Sequence, residues 1–234
     1  MRFGLLCLLS ASVACDGCGG GGSAVDATPV VDFDNGICGT ELRFTGEIVD
    51  WDVEAAFCGI FDAHVAVRGG GPTANTAPNG RYDVCVSRDA QVTLADVTPS
   101  AVDSECTTPK STYPLPLLLV GSRAAIQAGG FNSARAFTVA REATVGVTID
   151  AAKAHVLVHV DGVQRAVALA AAHDAAQANA ATTWAAGDTG HEVFFPNVDP
   201  AGGSTELSVT GGAIGAGAIP LEAGKITEIS VLAQ

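Results

Sequence analysis

The sequence predicts an all-β protein whose body is built from two tandem β-sandwich domains that follow a flexible N-terminal tether. Three observations predict this class. Apolar and polar residues alternate with period two in many short runs, which is typical of half-buried strands. Glycine, proline and asparagine residues separate these runs and predict turns. Four of the seven cysteines lie between Cys38 and Cys106 and none follows, which indicates a boundary between two halves of the body.

Alternation of apolar and polar residues predicts the strands of the first half of the body. Further strands are predicted at 91–97 and 117–120, with turns at 69–72 and 78–80. The residues expected to face the core are Leu42, Phe44, Ile48, Ala63, Val65, Val67, Tyr82, Val84 and Val86.

The second half of the body also shows the alternation that predicts strands. Strands are predicted at 192–195, 205–210 and 225–232. Segment 166–181 is ambiguous because its alanines favour a helix, whereas Val167, Leu169 and Ala171 alternate as in a strand. We expect a strand to about residue 172, followed by an irregular or briefly helical connection. Two further sets of residues are each expected to share one strand face: Val145, Val147 and Ile149, and Val156, Val158 and Val160.

Three stretches of the first half carry a family pattern. They are Thr-Gly-Glu-Ile-Val-Asp at 45–50, Ala-His-Val-Ala-Val at 63–67 and Thr-Ala-Pro-Asn-Gly-Arg-Tyr-Asp-Val at 76–84. Together they resemble the carboxypeptidase regulatory-like, or transthyretin-like, domain. The resemblance implies a sandwich of seven strands that has no catalytic activity of its own. We assign 37–122 to this domain, 123–141 to a linker, and 142–234 to a second sandwich of transthyretin-like or Ig-like type.

The N-terminus has the order of a secretory signal. Arg2 precedes a short apolar run at 3–9 and small residues up to Ala14. The run is too short to span roughly 30 Å of hydrocarbon. The Ser-Val-Ala-Cys sequence at 12–15 resembles a bacterial lipobox, with serine where leucine is usual, and implies that Cys15 is lipidated.

We therefore predict a signal peptide at 1–14 and a lipidated, glycine-rich tether at 15–36. Four consecutive glycines in this tether are typical of a flexible linker. The lipid would hold the protein in the cell envelope, at the periplasmic face or at the cell surface. The alternative is an ordinary signal peptide that is cleaved near Ala14.

Charge and cysteine content narrow the classes of partner and site. Lys and Arg number 12 against 25 Asp and Glu, for a formal net charge of −13, which argues against nucleic acid as a partner. In an exported protein the even set of Cys38, Cys58, Cys85 and Cys106 predicts two disulfides, and three connectivities are possible. A zinc site is the alternative, although these cysteines lack the Cys-x2–4-Cys spacing.

The sequence offers no catalytic residue, metal site or cofactor site. His191-Glu192 begins like a zinc-protease motif, but Phe195 occupies the place of the second histidine. The glycine-rich 211–217 segment predicts a hairpin turn. His155 and His159 lie roughly 13 Å apart in an extended strand, so they cannot share one metal ion, and we expect exposed or partly packed surface histidines.

These observations predict a non-catalytic envelope protein with a structural, adhesion or interaction role, whose partner is an envelope protein or a glycan. The first alternative is a carbohydrate-binding module. Its candidate ligand-binding residues are Trp51 with the flanking Asp50 and Asp52, and Trp184 in a polar loop, because sugars stack on exposed aromatic side chains. The second alternative is an enzyme of unrecognised type.

Overall fold

The structure is a computed structural model, and it describes residues 38–50, 59–99, 115–129, 134–137, 145–180 and 183–233. Nearly all of the regular structure is β, so the predicted all-β class is confirmed. The elements are β1 (Leu42–Asp50), β2 (His64–Val67), β3 (Thr73–Asn75), β4 (Arg81–Val86), β5 (Val92–Thr98), β6 (Leu117–Ser122), α1 (Arg123–Gln127), β7 (Ala134–Ala136), β8 (Ala154–Asp161), β9 (Arg165–Leu169), β10 (Gln177–Asn179), β11 (Trp184–Ala186), β12 (Thr189–Gly190), β13 (Glu192–Val198), β14 (Ser204–Val209), β15 (Gly217–Pro220) and β16 (Ile226–Leu232).

Within the described part of the chain, no helix has both the length and the apolar character needed to cross a membrane.

The strands of the described residues form three sheets. A central sheet of nine strands has the order β11-β10-β13-β8-β16-β6-β5-β2-β3. A three-stranded sheet has the order β4-β1-β7, and a four-stranded sheet has the order β12-β9-β14-β15. Most neighbouring strands are antiparallel, but β16 runs parallel to both β6 and β8, and β1 runs parallel to β7.

The central sheet is covered on both faces. One hydrophobic cluster joins it to the three-stranded sheet, with Phe44 and Ile48 packed in the same cluster as Leu157. A second cluster joins it to the four-stranded sheet through residues such as Val158 and Leu207. The middle strands therefore bury both of their faces, and the described residues form three β layers.

The predicted core faces of the first half are confirmed. The residues at alternate positions of β1 and β4 are at most 6% exposed, and Ala63 and Val65 are fully buried. Each of these faces packs into the cluster between the three-stranded sheet and the central sheet. The alternation therefore predicted strand faces correctly wherever only one face of a sheet is covered.

A glycine turn fixes the start of β4 against β1. Gly80 has φ +76°, and a Cβ atom on it would lie 2.3 Å from the carbonyl oxygen of Ile48. The backbone N–H of Ile48 donates to the carbonyl of Gly80 at 2.9 Å. Only glycine combines this backbone conformation with so close an approach, which confirms the turn predicted at 78–80.

Most predicted strands of the second half are also confirmed, as β8, β13, β14 and β16. The 211–217 segment connects β14 to the antiparallel β15, so the predicted hairpin is confirmed. In segment 166–181 the strand ends at Leu169, and the connection that follows contains no described helix before β10 begins.

One predicted strand is wrong. Val145, Val147 and Ile149 alternate in burial, yet residues 145–150 form no strand. The Asn197 side chain takes the place of a partner strand here. Its Oδ1 accepts from the Asp150 N–H at 2.9 Å, and its Nδ2 donates to the Thr148 carbonyl at 2.8 Å. Because a side chain satisfies this backbone, burial alternates without a strand ladder.

The central sheet draws strands from both proposed domains. β2, β3, β5 and β6 precede residue 123, and β8, β10, β11, β13 and β16 follow residue 141. The proposed linker 123–141 contains α1, whose N-cap Ser122 accepts from the Ala125 N–H, and β7, which pairs with β1. Two separate sandwiches in tandem are therefore not confirmed.

One disulfide joins Cys38, which precedes β1, to Cys85 in β4, with Cα atoms 5.4 Å apart. It ties the segment before β1 to β4, and β1 and β4 themselves pair along six residue positions. Cys58 and Cys106, the other two cysteines predicted to form disulfides, lie outside the described residues, as do the signal peptide and the tether.

Candidate functional site

Four charged residues meet beneath the three-stranded sheet, and we call them the ionic cluster: Arg135, His159, Glu192 and Glu228. His159 and Glu192 are each 7% exposed and Glu228 is 2% exposed. Charged side chains are almost never buried to this extent unless they are paired. This degree of burial therefore requires the charged side chains of the cluster to pair with one another.

Neighbouring strands of the central sheet supply three of these side chains. His159 in β8 lies opposite Glu192 in β13 and next to Ser230 in β16. Glu228 lies two residues before Ser230, so the strand period of two places it on the same face. Arg135 comes from β7 of the three-stranded sheet.

The hydrogen bonds of the cluster converge on its two carboxylates. His159 Nε2 lies 2.8 Å from Glu228 Oε2, and His159 Nδ1 lies 3.3 Å from Glu192 Oε1. The Arg135 guanidinium pairs with Glu192, which also accepts from Asn179 Nδ2 at 3.2 Å. The backbone N–H of Arg135 donates to both Glu228 oxygens, at 3.1 and 2.9 Å. Glu228 thus satisfies a backbone donor of the edge strand β7.

The pKa shifts follow from burial and pairing. Burial lowers the pKa of His159, but hydrogen bonds to Glu192 and Glu228, together with their charges, outweigh it and raise this pKa to about 9. Burial raises the pKa of Glu192, but His159, Arg135 and Asn179 lower it to about 2. Burial raises the pKa of Glu228, and His159 and Arg135 offset this only in part.

At neutral pH the cluster therefore holds an imidazolium on His159 and a carboxylate on Glu192. The Arg135 guanidinium pairs with Glu192, and Glu228 lies on the other side of the imidazolium. Both nitrogens of the charged His159 are donors, so the ring is not free to accept a proton as a general base. This arrangement fastens β7 to the central sheet, and the removal of one partner would leave an uncompensated buried charge.

A polar depression of about 380 Å³ opens above the ionic cluster. Its wall includes Arg135, His159 and Glu192 from the cluster itself. The other polar side chains that line it are Glu47, Asp161, Asn179, His191 and Ser230. This polar depression is the place where solvent or a solute meets the cluster.

A second group of charges, which we call the surface ion network, contains Arg68, Asp96, Glu222 and Lys225. Arg68 donates to both Asp96 oxygens at 2.7 Å and to Glu222, and Lys225 Nζ lies 2.7 Å from Asp96 and 2.8 Å from Glu222. The Arg68 hydrogen bond is the main cause that lowers the pKa of Asp96 and of Glu222 to about 2 each. The network ties β2 and β5 to the turn before β16.

The two histidines of β8 are more deeply buried than the sequence predicts. The sequence predicts exposed or partly packed surface histidines, but His155 is fully buried and His159 is 7% exposed, so this prediction is wrong. The physical reason is that β8 lies in the middle of a sheet that is covered on both faces. The unbroken 154–160 run, Ala-His-Val-Leu-Val-His-Val, was the signal for such a strand.

His155 is a neutral core residue. Its Nδ1 accepts from the Asn197 N–H at 3.2 Å, and its ring stacks near Phe194, with centroids 6.3 Å apart. Burial lowers its pKa to about 4, against the opposing effect of Asp150. It therefore supplies packing and one hydrogen bond in the core rather than a charge.

Of the four predicted ligand-binding residues, the structure describes Asp50 and Trp184. Asp50 ends β1 and is fully buried. Trp184 begins β11 instead of lying in a loop, and it packs partly against the first hydrophobic cluster. Trp51 and Asp52 lie outside the described residues.

Among the residues that the structure describes, no group of three or more His, Cys, Asp or Glu side chains could hold a metal ion. Comparison of the chain with protein-family profiles, curated proteins and solved structures finds no match.

Proposed function

We propose that this chain is a lipid-anchored protein of the bacterial cell envelope, held through Cys15, and that its β body has a non-catalytic structural, adhesion or interaction role. The N-terminal order of charge, apolar run and small residues before Cys15 supports export and lipidation. The partner that this proposal implies is an envelope protein or a glycan.

The observation that carries the proposal is the disulfide between Cys38 and Cys85. Structural disulfides form and persist mainly in oxidising compartments outside the cytosol. The disulfide and the N-terminal signal are independent features, and both favour the same location. The 23 residues from Cys15 to Cys38 could reach roughly 80 Å if fully extended, which would give the body access to partners well away from the membrane surface.

The body suits a scaffold role. The four charged residues of the ionic cluster are paired with one another, and the surface ion network joins strands from both halves of the chain. In this proposal the carboxypeptidase regulatory-like sandwich at 37–122 and the second sandwich at 142–234 share the central sheet. A shared sheet would hold the loops of both halves in one rigid frame for contact with a partner.

Metabolic labelling with a palmitate analogue tests the anchor. We expect label on the wild-type chain and on Cys18→Ser, and its complete loss from Cys15→Ser. Cys18→Ser is the matched control because it makes the same chemical change three residues away. Label that persists in Cys15→Ser would overturn the proposed attachment site.

A further inference from the structure

We propose that the polar depression above the ionic cluster is a binding site for a small polyhydroxylated amine, such as an amino sugar. This site is distinct from the lipid anchor, and the inference does not depend on the proposed function. Its volume of about 380 Å³ lies within the range of roughly 300–1,000 Å³ that is typical of small-molecule sites.

Several groups in the wall retain hydrogen-bonding capacity. Asn179 Oδ1 is buried and has no partner among the described residues, although the Nδ2 of the same amide donates to Glu192. A buried acceptor without a donor is uncommon, because it forfeits the hydrogen bond that water would provide. Asn179 itself lines the depression and is half-buried, so a small rotation of its side chain would bring this acceptor to the hydroxyl or ammonium group of a ligand.

Arg135 supplies the complementary donors. Among the described side chains its guanidinium is paired only with Glu192, and a guanidinium carries five N–H donors. His191 also lines the depression and is exposed. A ligand that fits this wall needs acceptors as well as donors, and sugar hydroxyls provide both.

The charge of the wall favours a cation over an anion. Glu47 and Asp161 line the depression, and neither lies within ion-pair distance of a basic side chain that the structure describes. Burial raises the pKa of Asp161, and the charge of His159 opposes this effect. Arg135 and His159 pair with the acidic side chains of the ionic cluster, so Glu47 and Asp161 are the acidic groups that a cation would meet in the rest of the wall. An ammonium group would be attracted to them, whereas a sulfate or phosphate would be repelled.

Few apolar residues line the depression, since Val49 and Val160 are the only aliphatic residues besides glycine, and the Val160 side chain packs in the second hydrophobic cluster. A hydrophobic ligand would therefore find little area to bury. This separates the proposed ligand from lipids and from aromatic compounds. It also distinguishes the site from an aromatic sugar-stacking platform, because recognition here would rest on hydrogen bonds and charge.

Isothermal titration calorimetry with glucosamine, N-acetylglucosamine, glucose and sodium sulfate tests the proposal on the full chain. We expect glucosamine to bind with a Kd on the order of 1 mM, at least tenfold more tightly than the neutral N-acetylglucosamine or glucose. Sulfate should not bind. Asp161→Asn, an isosteric change at an exposed residue, should weaken glucosamine binding at least fivefold.

Asp89→Asn is the matched control, because Asp89 is exposed in the turn between β4 and β5 and does not line the depression. Its affinity for glucosamine should equal that of the wild type. The proposal is overturned if glucosamine fails to bind at 20-fold the expected Kd, if the neutral sugars bind equally well, if sulfate binds instead, or if Asp161→Asn and Asp89→Asn behave alike.

Discussion

His155 and His159 are four residues apart on one face of β8, yet their surroundings shift their pKa values in opposite directions. His155 accepts from a backbone N–H and stacks near Phe194, and burial outweighs the opposing effect of Asp150 and lowers its pKa to about 4. His159 lies between two carboxylates, which raise its pKa to about 9 in spite of burial. Both residues are histidines on the same face of the same strand. The difference between their pKa values therefore comes from their partners across the sheets.

This contrast predicts that the two histidines contribute opposite pH dependences of stability on the two sides of pH 6.5. His159 binds its proton more tightly in the folded state, so its contribution is complete below pH 6.5 and is lost as the pH rises through about 9. His155 binds its proton less tightly when folded, so its contribution is complete above pH 6.5 and is lost as the pH falls through about 4. Each loss should approach roughly 3 kcal/mol of unfolding free energy.

Urea unfolding between pH 4 and pH 9, together with an NMR titration of the imidazole resonances, measures both effects. The pKa values of Glu192, Asp96 and Glu222 are lowered to about 2 each, from ordinary values of 4.5, 3.8 and 4.5. The stability that these three carboxylates contribute is therefore lost mainly below pH 4.5, at or beyond the acid end of the measured range. Two buried imidazoles that titrate together near pH 6.5 would contradict the environments described for β8.

At the scale of elements, local patterns predicted most of the strands. The alternation in β1 and β4 identified the buried faces, because only one face of the three-stranded sheet packs on the core. The same rule failed for β8, where both faces are covered and alternation carries no information about exposure. It also failed for 145–150, where the burial pattern is correct but Asn197, nearly 50 residues away, replaces a strand partner.

The disulfide gives a second prediction at this scale. It closes a loop of 47 residues between Cys38 and Cys85, and its removal releases conformational entropy in the unfolded chain. We expect Cys38→Ser/Cys85→Ser to lose about 2–4 kcal/mol of unfolding free energy, measured by urea unfolding of the oxidised protein.

Cys18→Ser provides the reference for the serine substitutions, since it lies in the proposed tether, and it should leave the unfolding free energy unchanged. Equal stability of Cys38→Ser/Cys85→Ser and the wild type would show that the crosslink does not constrain the folded body.

For the whole molecule, the shared central sheet is the main departure from the predicted tandem sandwiches. The parallel pairing of β16 with β6 brings the last strand of the chain beside a strand of the first half. The ion pairs act over similar separations, with 69 residues between His159 and Glu228 and 154 between Arg68 and Glu222. A local sequence pattern carries no information about contacts between residues that are so far apart in the chain. The sequence could therefore indicate the strands, but it could not indicate their order in the sheet or the ionic cluster.

A shared sheet predicts one cooperative unfolding transition. Phe195→Ala, in the cluster between the central and four-stranded sheets, should cost about 3–5 kcal/mol. Hydrogen-exchange protection should fall by the same free energy in β1 and β4 of the first half and in β9 and β14 of the second half. Val163→Ala, at a side chain that is 60% exposed, should change neither the unfolding free energy nor the hydrogen-exchange protection. A loss of protection confined to the second half would show that the halves unfold independently.

The central functional claim is that Cys15 is the lipid-bearing first residue of the mature protein. Mass spectrometry of the N-terminal peptide, isolated from membranes of the native host, tests this most directly. We predict a peptide that begins at Cys15 and carries the added mass of a diacylglyceryl group on the sulfur. An unmodified Cys15, or a mature chain that begins at any other residue, would contradict the proposed anchor.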